Sequence, residues 1–190
     1  MGKKVKIETI KRLKPDALIV ATGSKTAYPP IPGMDKSNVI MARDLLAGKF
    51  KAHGKVVIAG GGCMGAQVAD FLSSHRMKVT IVEMGPVIAA DMPWDEQTLL
   101  YGRLAKQNVE MMPNTKILKI NSSSVVLQTK KGKQNIKADT VVSCFGSRAV
   151  DELSRPAKKF AKKIFVVGDA KQARKALEAI HEGARAGMAI

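Results

Sequence analysis

Aromatic residues are scarce in this sequence: one Trp, two Tyr and five Phe among 190 residues, 4% of the chain. The core must therefore be built from Val, Ile, Leu, Ala and the ten Met, which serve as adaptable packing rather than as a metal or redox device. Cysteine is nearly absent too. Cys63 and Cys144 form no C-x-x-C pair, which excludes a disulfide framework and fits a reducing, cytoplasmic setting. The three histidines, His53, His75 and His181, approach no metal-ligand spacing, so no metal site is expected. No segment is long and apolar enough to span a membrane, and Met1-Gly2-Lys3-Lys4 leads into no signal-peptide core. Acidic residues number 16 against 32 Lys and Arg, a formal charge of +16 with pI near 10. That imbalance raises the question of a nucleic-acid partner. Against it, the basic residues run through the whole chain, aromatics do not interleave with them, and no nucleic-acid-binding motif appears. The densest cluster, Arg155 to Lys163, reads as a solvated segment ahead of a strand.

What is present is a 45% hydrophobic composition, enough for a real core, and one highly patterned stretch, Val56 to Glu83. Val56-Val57-Ile58-Ala59 is a short β-branched run suited to a buried parallel strand. Gly60, Gly62 and Gly65 follow as G-x-G-x-x-G, with Cys63 and Met64 between the last two. Ala66 to Ser74 continues as a helix, and Lys78 to Val82 returns as a strand ending on Glu83. Glu83 lies 23 residues after Gly60, close to the roughly 20 of a dinucleotide-binding βαβ unit. Each residue type has a chemical reason. Gly60 permits the sharp turn, Gly62 lets a pyrophosphate approach the backbone, and Gly65 lets helix and strand pack closely. The helix start offers unpaired N–H groups to the phosphates. Glu83 is placed to accept from both ribose hydroxyls. Its carboxylate would repel a 2′-phosphate, and Met84-Gly85-Pro86-Val87 brings no Arg or Lys, so NAD(H) is expected over NADP(H).

Along the rest of the chain, Lys4 to Ile7 is expected to be a short strand and Glu8 to Leu13 a helical turn before Pro15. Ala17 to Ala21 reads as a buried strand ending at Thr22-Gly23, and Tyr28 to Gly33 as a stiff, extended crossing. Met41 to Ala47 suggests a short helix. Asp95 is expected to cap a helix from Glu96 to Gln107 with Leu99, Leu100 and Leu104 on its apolar side, Trp94 anchoring the loop before it. After a strand at Val109 to Met112, three closely spaced runs, Lys116 to Ile120, Val125 to Thr129 and Asn135 to Ala138, read as an antiparallel meander. Thr140 to Phe145 is a further strand ending at Gly146. Ile164 to Val167 is another, stopping at Gly168-Asp169, and Ala173 to Gly187 is helical with Leu177, Ile180 and Ala184 on one face. The fold class is therefore α/β: a Rossmann-like parallel sheet with an antiparallel three-stranded meander.

Ala21-Thr22-Gly23 closing a strand before the glycine unit, Gly146 closing one after it, and Gly168-Asp169 between strand and helix together resemble the pyridine nucleotide-disulfide oxidoreductase superfamily. Leu45-Leu46-Ala47-Gly48-Lys49 and the run Ala173 to Gly183 resemble, within it, the C-terminal part of NADH:flavin oxidoreductases of the old yellow enzyme type, such as 2-enoate and 2,4-dienoyl-CoA reductases. The resemblance covers nearly the whole chain. It implies residues 40–148 as an NAD(H)-binding domain inserted between two partial FAD-domain segments, 1–39 and 149–190. It also implies Asp169 on a ribityl hydroxyl of FAD, Gly23 and Gly168 beside that cofactor, and Gly146 beside the nicotinamide half of NAD(H). No catalytic side chain is assigned. The family reaction, hydride transfer from nicotinamide to flavin, would pass electrons on to an iron–sulfur cluster and FMN in an upstream barrel domain.

Two features depart from that pattern. No glycine unit for FAD precedes residue 54, and no cysteine cluster for iron–sulfur ligation occurs. The expectation is a fragment of an NAD(P)H:flavin oxidoreductase, inactive by itself, with FAD bound in the full-length protein rather than here. Its partners would be the other half of the FAD domain and the barrel. The unpaired strand edges leave swapping or homodimerisation open. The competing reading is a non-catalytic module for ADP or another adenine nucleotide.

Overall fold

A computed structural model describes residue 2 and residues 4–190. The chain divides into two compact units, Tyr28–Gly146 and a second made of the residues up to Ala27 together with Ser147–Ile190. In chain order the second unit begins with α1 (Ile7–Leu13), β1 (Ala17–Val20) and β2 (Ser24–Thr26). The first unit contains β3 (Val39–Met41), α2 (Ala42–Leu46), β4 (Lys55–Ala59), α3 (Cys63–Ser74), β5 (Lys78–Val82), α4 (Trp94–Lys106), β6 (Glu110–Met112), β7 (Lys116–Ile120), β8 (Ser124–Thr129), β9 (Gly132–Lys137) and β10 (Thr140–Ser143). The chain then re-enters the second unit through β11 (Ser147–Ala149), α5 (Ser154–Ala157), β12 (Lys163–Val166), a 3₁₀ turn (Gly168–Ala170) and α6 (Ala176–Met188).

Tyr28–Gly146 is a five-stranded sheet in the order β3-β10-β4-β5-β6, every neighbouring pair parallel. The apolar run of β4 is continuous because both of its faces are covered. Val56 and Ile58 pack with Ala66, Val68 and Leu104 on the helical side, whereas Val57 and Ala59 pack with Ile117, Ile120 and Leu127 of the meander. The two-residue side-chain period thus divides one strand between two cores. The meander β7-β8-β9 is antiparallel as expected, and its buried face carries Val125 and Leu127, two apart, with Ile117 and Ile120, three apart across an irregularity in β7. Helices α3 and α4 are joined at the surface by Arg103 Nε to Asp70 Oδ2 at 2.9 Å. The Tyr28–Gly33 segment has no helix or strand, and Ile120 N–H donates to its Pro32 carbonyl at 2.8 Å.

Several local expectations change. Lys4 to Ile7 is not a strand: Ile7 already opens α1, and Lys4 to Lys6 have no strand assignment. Helix α4 starts at Trp94 with Pro93 at the N-cap, so Asp95 falls inside the first turn, where it meets the positive helix end without capping it. Leu100 and Leu104, four residues apart, define the buried line of that helix; Leu99, one position off it, is 68% exposed. Trp94 is 78% exposed and anchors nothing. The short strands β2, β3 and β11 carry too few residues for a hydrophobic period. They form because a neighbour supplies the ladder, as in Ser147↔Thr26 and Val142↔Ile40.

The second unit holds a parallel pair, β1 with β12, an antiparallel pair, β2 with β11, and helices α1, α5 and α6. The strands at Ala17 and Ile164 thus pair with each other. The core is small: Ile10, Val20, Ala157, Val167, Ala170 and Ala186. Helix α6 starts at Ala176, three residues later than its periodicity suggested, and exposes Leu177, Ile180 and Met188. Among the described residues, no helix is long and apolar enough to cross a membrane, and no group of three or more potential ligands could hold a metal.

Candidate functional site

β4 delivers the chain to Gly60 at the carboxyl end of the parallel sheet. Gly60 N–H donates to Val82 O at 3.0 Å, across to the end of β5. Its φ is +102°, and a Cβ there would stand 2.7 Å from Cys144 O, so both conformation and space demand glycine. At Gly65 the demand is space alone: a Cβ would fall 2.0 Å from Gly60 O, because the first turn of α3 rests on the turn that precedes it. Gly62 differs from both. Its φ is −65°, which any residue adopts, and it caps α3 without a side chain. A Cβ there would meet nothing nearer than Asp91 Oδ1 at 3.5 Å. The side of the turn above the helix start is thus a shallow cradle that a side chain would fill.

Cys63 opens α3 half-buried, and Met64 is 46% exposed on the first turn. Neither cysteine is in a disulfide. Cys144 follows β10, and burial pushes its thiol up to about 12.

Glu83 directly follows β5 and is half-buried. Its carboxylate is held on both sides by backbone: Gly61 N–H donates to Oε2 at 2.7 Å and Gly85 N–H to Oε1 at 2.6 Å. This links the glycine turn to the end of the next strand and sets the carboxylate orientation. Each oxygen keeps acceptor capacity for a further donor. Beside it, Gly60, Glu83, Ile31, Ile117 and Phe145 line a cleft of about 410 Å³. It lies at the carboxyl ends of β4 and β5, where open α/β sheets place their ligands.

Two participants lie outside the residues that the G-x-G-x-x-G pattern and its acid specify. Gly61 stands at a variable position of G-x-G-x-x-G, yet a Cβ there would approach Ile88 Cδ1 to 2.7 Å and Glu83 Cβ to 2.8 Å. The run of three glycines was the available signal. Asp91 had no signal at all. It reaches the glycine turn from the loop after β5, and Cys63 N–H donates to its Oδ1 at 2.7 Å. That loop is fixed from α4, not by Trp94: Gln97 Nε2 donates to Ile88 O and Ala89 O at 2.9 and 3.0 Å, and Tyr101 Oη to Ile88 O at 2.7 Å.

The structure therefore brings Gly60, Gly62, Cys63, Met64, Gly65 and Glu83 to one corner of the Tyr28–Gly146 unit, of which Gly146 is the last residue. Gly23, Gly168 and Asp169 belong to the second unit. There Asp169 accepts from Ser24 Oγ at 2.8 Å and from Arg174 N–H at 3.1 Å, and the Ser24 hydrogen bond chiefly holds its carboxyl below the ordinary range. Glu182 gathers Arg174 Nη2 at 2.6 Å, Lys171 Nζ at 3.1 Å and Gly168 N–H at 2.8 Å. Arg174 first and Lys171 second hold it down to about 2.

A parallel sheet, a glycine turn opening a helix and a carboxylate at the end of the next strand define the dinucleotide-binding α/β class. The chain belongs to the pyridine nucleotide-disulphide oxidoreductase family, whose pattern matches residues 2–187. Over 182 residues it is 36% identical to an NADH oxidase of Thermoanaerobacter brockii, covering 93% of this chain and 28% of that protein. It is 32% identical over 148 residues to a bilirubin reductase of Mediterraneibacter gnavus, covering 78% of this chain and 23% of the relative. Among solved structures, 2-naphthoyl-CoA reductase in complex with 2-naphthoyl-CoA superposes with a TM-score of 0.88 at 34% identity, over 100% of this chain and 29% of that one. The resemblance to the C-terminal part of NADH:flavin oxidoreductases agrees with these similarities. The chain spans less than a third of the length of each of these proteins.

Proposed function

We propose that this chain is the NAD(H)-binding module of a flavin-dependent oxidoreductase. One observation carries the reading: an open cradle over the start of α3 stands beside a carboxylate that two backbone N–H groups orient at the end of β5. Gly62 leaves room for the diphosphate, and the first N–H groups of α3 face it. Glu83, with acceptor capacity left on both oxygens, receives the adenosine ribose hydroxyls and disfavours a 2′-phosphate. Gly60, Gly61 and Gly65 hold the turn in shape, and Cys63 and Met64 contribute backbone to it. NADH supplies a hydride that FAD accepts; the protein's part is to bind and orient the dinucleotide.

In this reading residues 1–39 and 149–190 belong to an FAD domain completed elsewhere in a longer polypeptide, with Gly23, Gly168 and Asp169 on the flavin cofactor and Gly146 beside the nicotinamide. The exposed Leu177, Ile180 and Met188 of α6 then meet the rest of that domain. The isolated chain binds dinucleotide without turning over, and the upstream FMN and iron–sulfur domain receives the electrons.

Calorimetric titration with NADH, NADPH and ADP tests the reading. NADH is expected to bind most tightly. NADPH binding as tightly would remove the NAD preference. ADP binding as tightly as NADH would favour the adenine-nucleotide module, because the cradle and Glu83 contact only the ADP half.

A further inference from the structure

Among the described residues, the group that meets the opening N–H of α3 is a side chain from elsewhere in the same unit. Gly62 provides no cap, and the first turn of α3 has no acidic residue. Asp91 Oδ1 takes the Cys63 N–H at 2.7 Å. A Cβ built on Gly62 would stand 3.5 Å from Asp91 Oδ1 and 3.7 Å from Oδ2, so both oxygens lie over the cradle that Gly62 keeps open. The contact is built rather than casual. Ala89 N–H donates to Gly61 O at 2.6 Å and Met92 N–H to Ala89 O at 3.0 Å. Ala89 itself has φ +53°, an uncommon backbone state for a residue with a side chain, and is fully buried. Gln97 and Tyr101 hold the Ile88 and Ala89 carbonyls from the α4 side. A tight hook thus presents one carboxylate to the turn.

We infer that Asp91 is an internal anion that competes with the diphosphate of a dinucleotide for the Cys63 N–H, and so sets the affinity of the site. The inference rests on the dinucleotide reading above. A diphosphate that uses this N–H must displace the Asp91 carboxylate or lie against it. Two anions at one helix start repel each other, and the displaced carboxylate loses a charge-assisted hydrogen bond and the favourable helix-end field. The consequence is a site that binds its dinucleotide more weakly than the bare turn would and releases it faster. It also discriminates by phosphate: a ligand without phosphate does not meet Asp91.

The test compares the full chain with Asp91→Ala and Asp91→Asn by calorimetric titration with NADH, ADP and adenosine, with circular dichroism melts to confirm folding. NADH and ADP are expected to bind Asp91→Ala about tenfold more tightly than wild type, and Asp91→Asn by a smaller factor, because the amide keeps an acceptor but loses the charge. Adenosine is expected to bind all three alike. Unchanged or weaker NADH binding in a folded Asp91→Asn would overturn the inference while leaving the dinucleotide reading in place. An equal gain for adenosine would overturn it as well, since the effect would then not act through phosphate. If no form of the protein bound NADH or ADP, the dinucleotide reading would fall and the competition with it.

Discussion

Two helix starts in this protein, one in each unit, are built to opposite ends. At α3 the chain spends three consecutive glycines to leave a cradle empty, and one carboxylate from another loop covers the N–H beneath it. Ahead of α6, Asp169 is tied to polar groups of its own unit, Ser24 Oγ and the Arg174 N–H, and within the helix Glu182 takes Lys171, Arg174 and Gly168. The surrounding packing differs in the same sense. The Tyr28–Gly146 unit covers both faces of its sheet, whereas the other unit rests on a two-stranded parallel ribbon and leaves α6 apolar residues in solvent. A βαβ unit buried on both sides can hold a tight glycine turn. A ribbon of two strands is marginal without further layers and draws its local order from polar ties.

The largest expected break in that contrast comes from core truncation. Ile58→Ala, at a fully buried position between the sheet and α3, should cost about 3 kcal/mol in urea unfolding. Ile180→Ala on α6, where the side chain is 66% exposed, should stay within about 0.5 kcal/mol. A comparable loss at both positions would mean that the α6 face is covered in solution.

Gly62→Ala should separate function from fold. Its φ of −65° accepts alanine, so the melting temperature should hold or rise slightly. NADH affinity should nevertheless fall by at least about tenfold, because the methyl enters the cradle. Glu83→Ala should weaken NADH by about tenfold and also lower the melting temperature, since it orphans the Gly61 and Gly85 N–H groups.

In the other unit the sharper probe is pH. Glu182 is held down to about 2, below its ordinary 4.5. Its stabilisation is therefore complete above about pH 4.5 and is lost as the pH falls toward 2. The protection factor of the Gly168 amide, which donates to Glu182, should fall across that window. Glu182→Gln should flatten the response. The smallest effect is chemical: with its thiol pushed up to about 12 by burial, Cys144 should resist alkylation at pH 8 until the chain unfolds.

The βαβ unit was legible because its signal is local. β-branched residues, a glycine turn, a helical period and an acid follow one another within a short window, and each element forms where that order places it. The meander was legible from its spacing. The three-residue strands β2, β3 and β11 were not, because their pairing partners lie far along the chain. Leu99 was misplaced because an apolar residue one step from a buried line still satisfies a loose helical period.

The same division holds at the site. Sequence alone determined that Gly60, Gly62 and Gly65 form a turn into a helix and that Glu83 ends the following strand, because chain connectivity enforces those neighbours. Only the tertiary structure decided what the groups do to one another. It engages both Glu83 oxygens with backbone, requires Gly61 to be glycine through Ile88, and brings Asp91 across the start of α3. Apart from the Gly85–Glu83 bond, which spans two residues, the bonds among these groups and the loop that carries Asp91 span eight to 28 residues. They depend on how α4 holds a loop, which no local pattern of residues encodes.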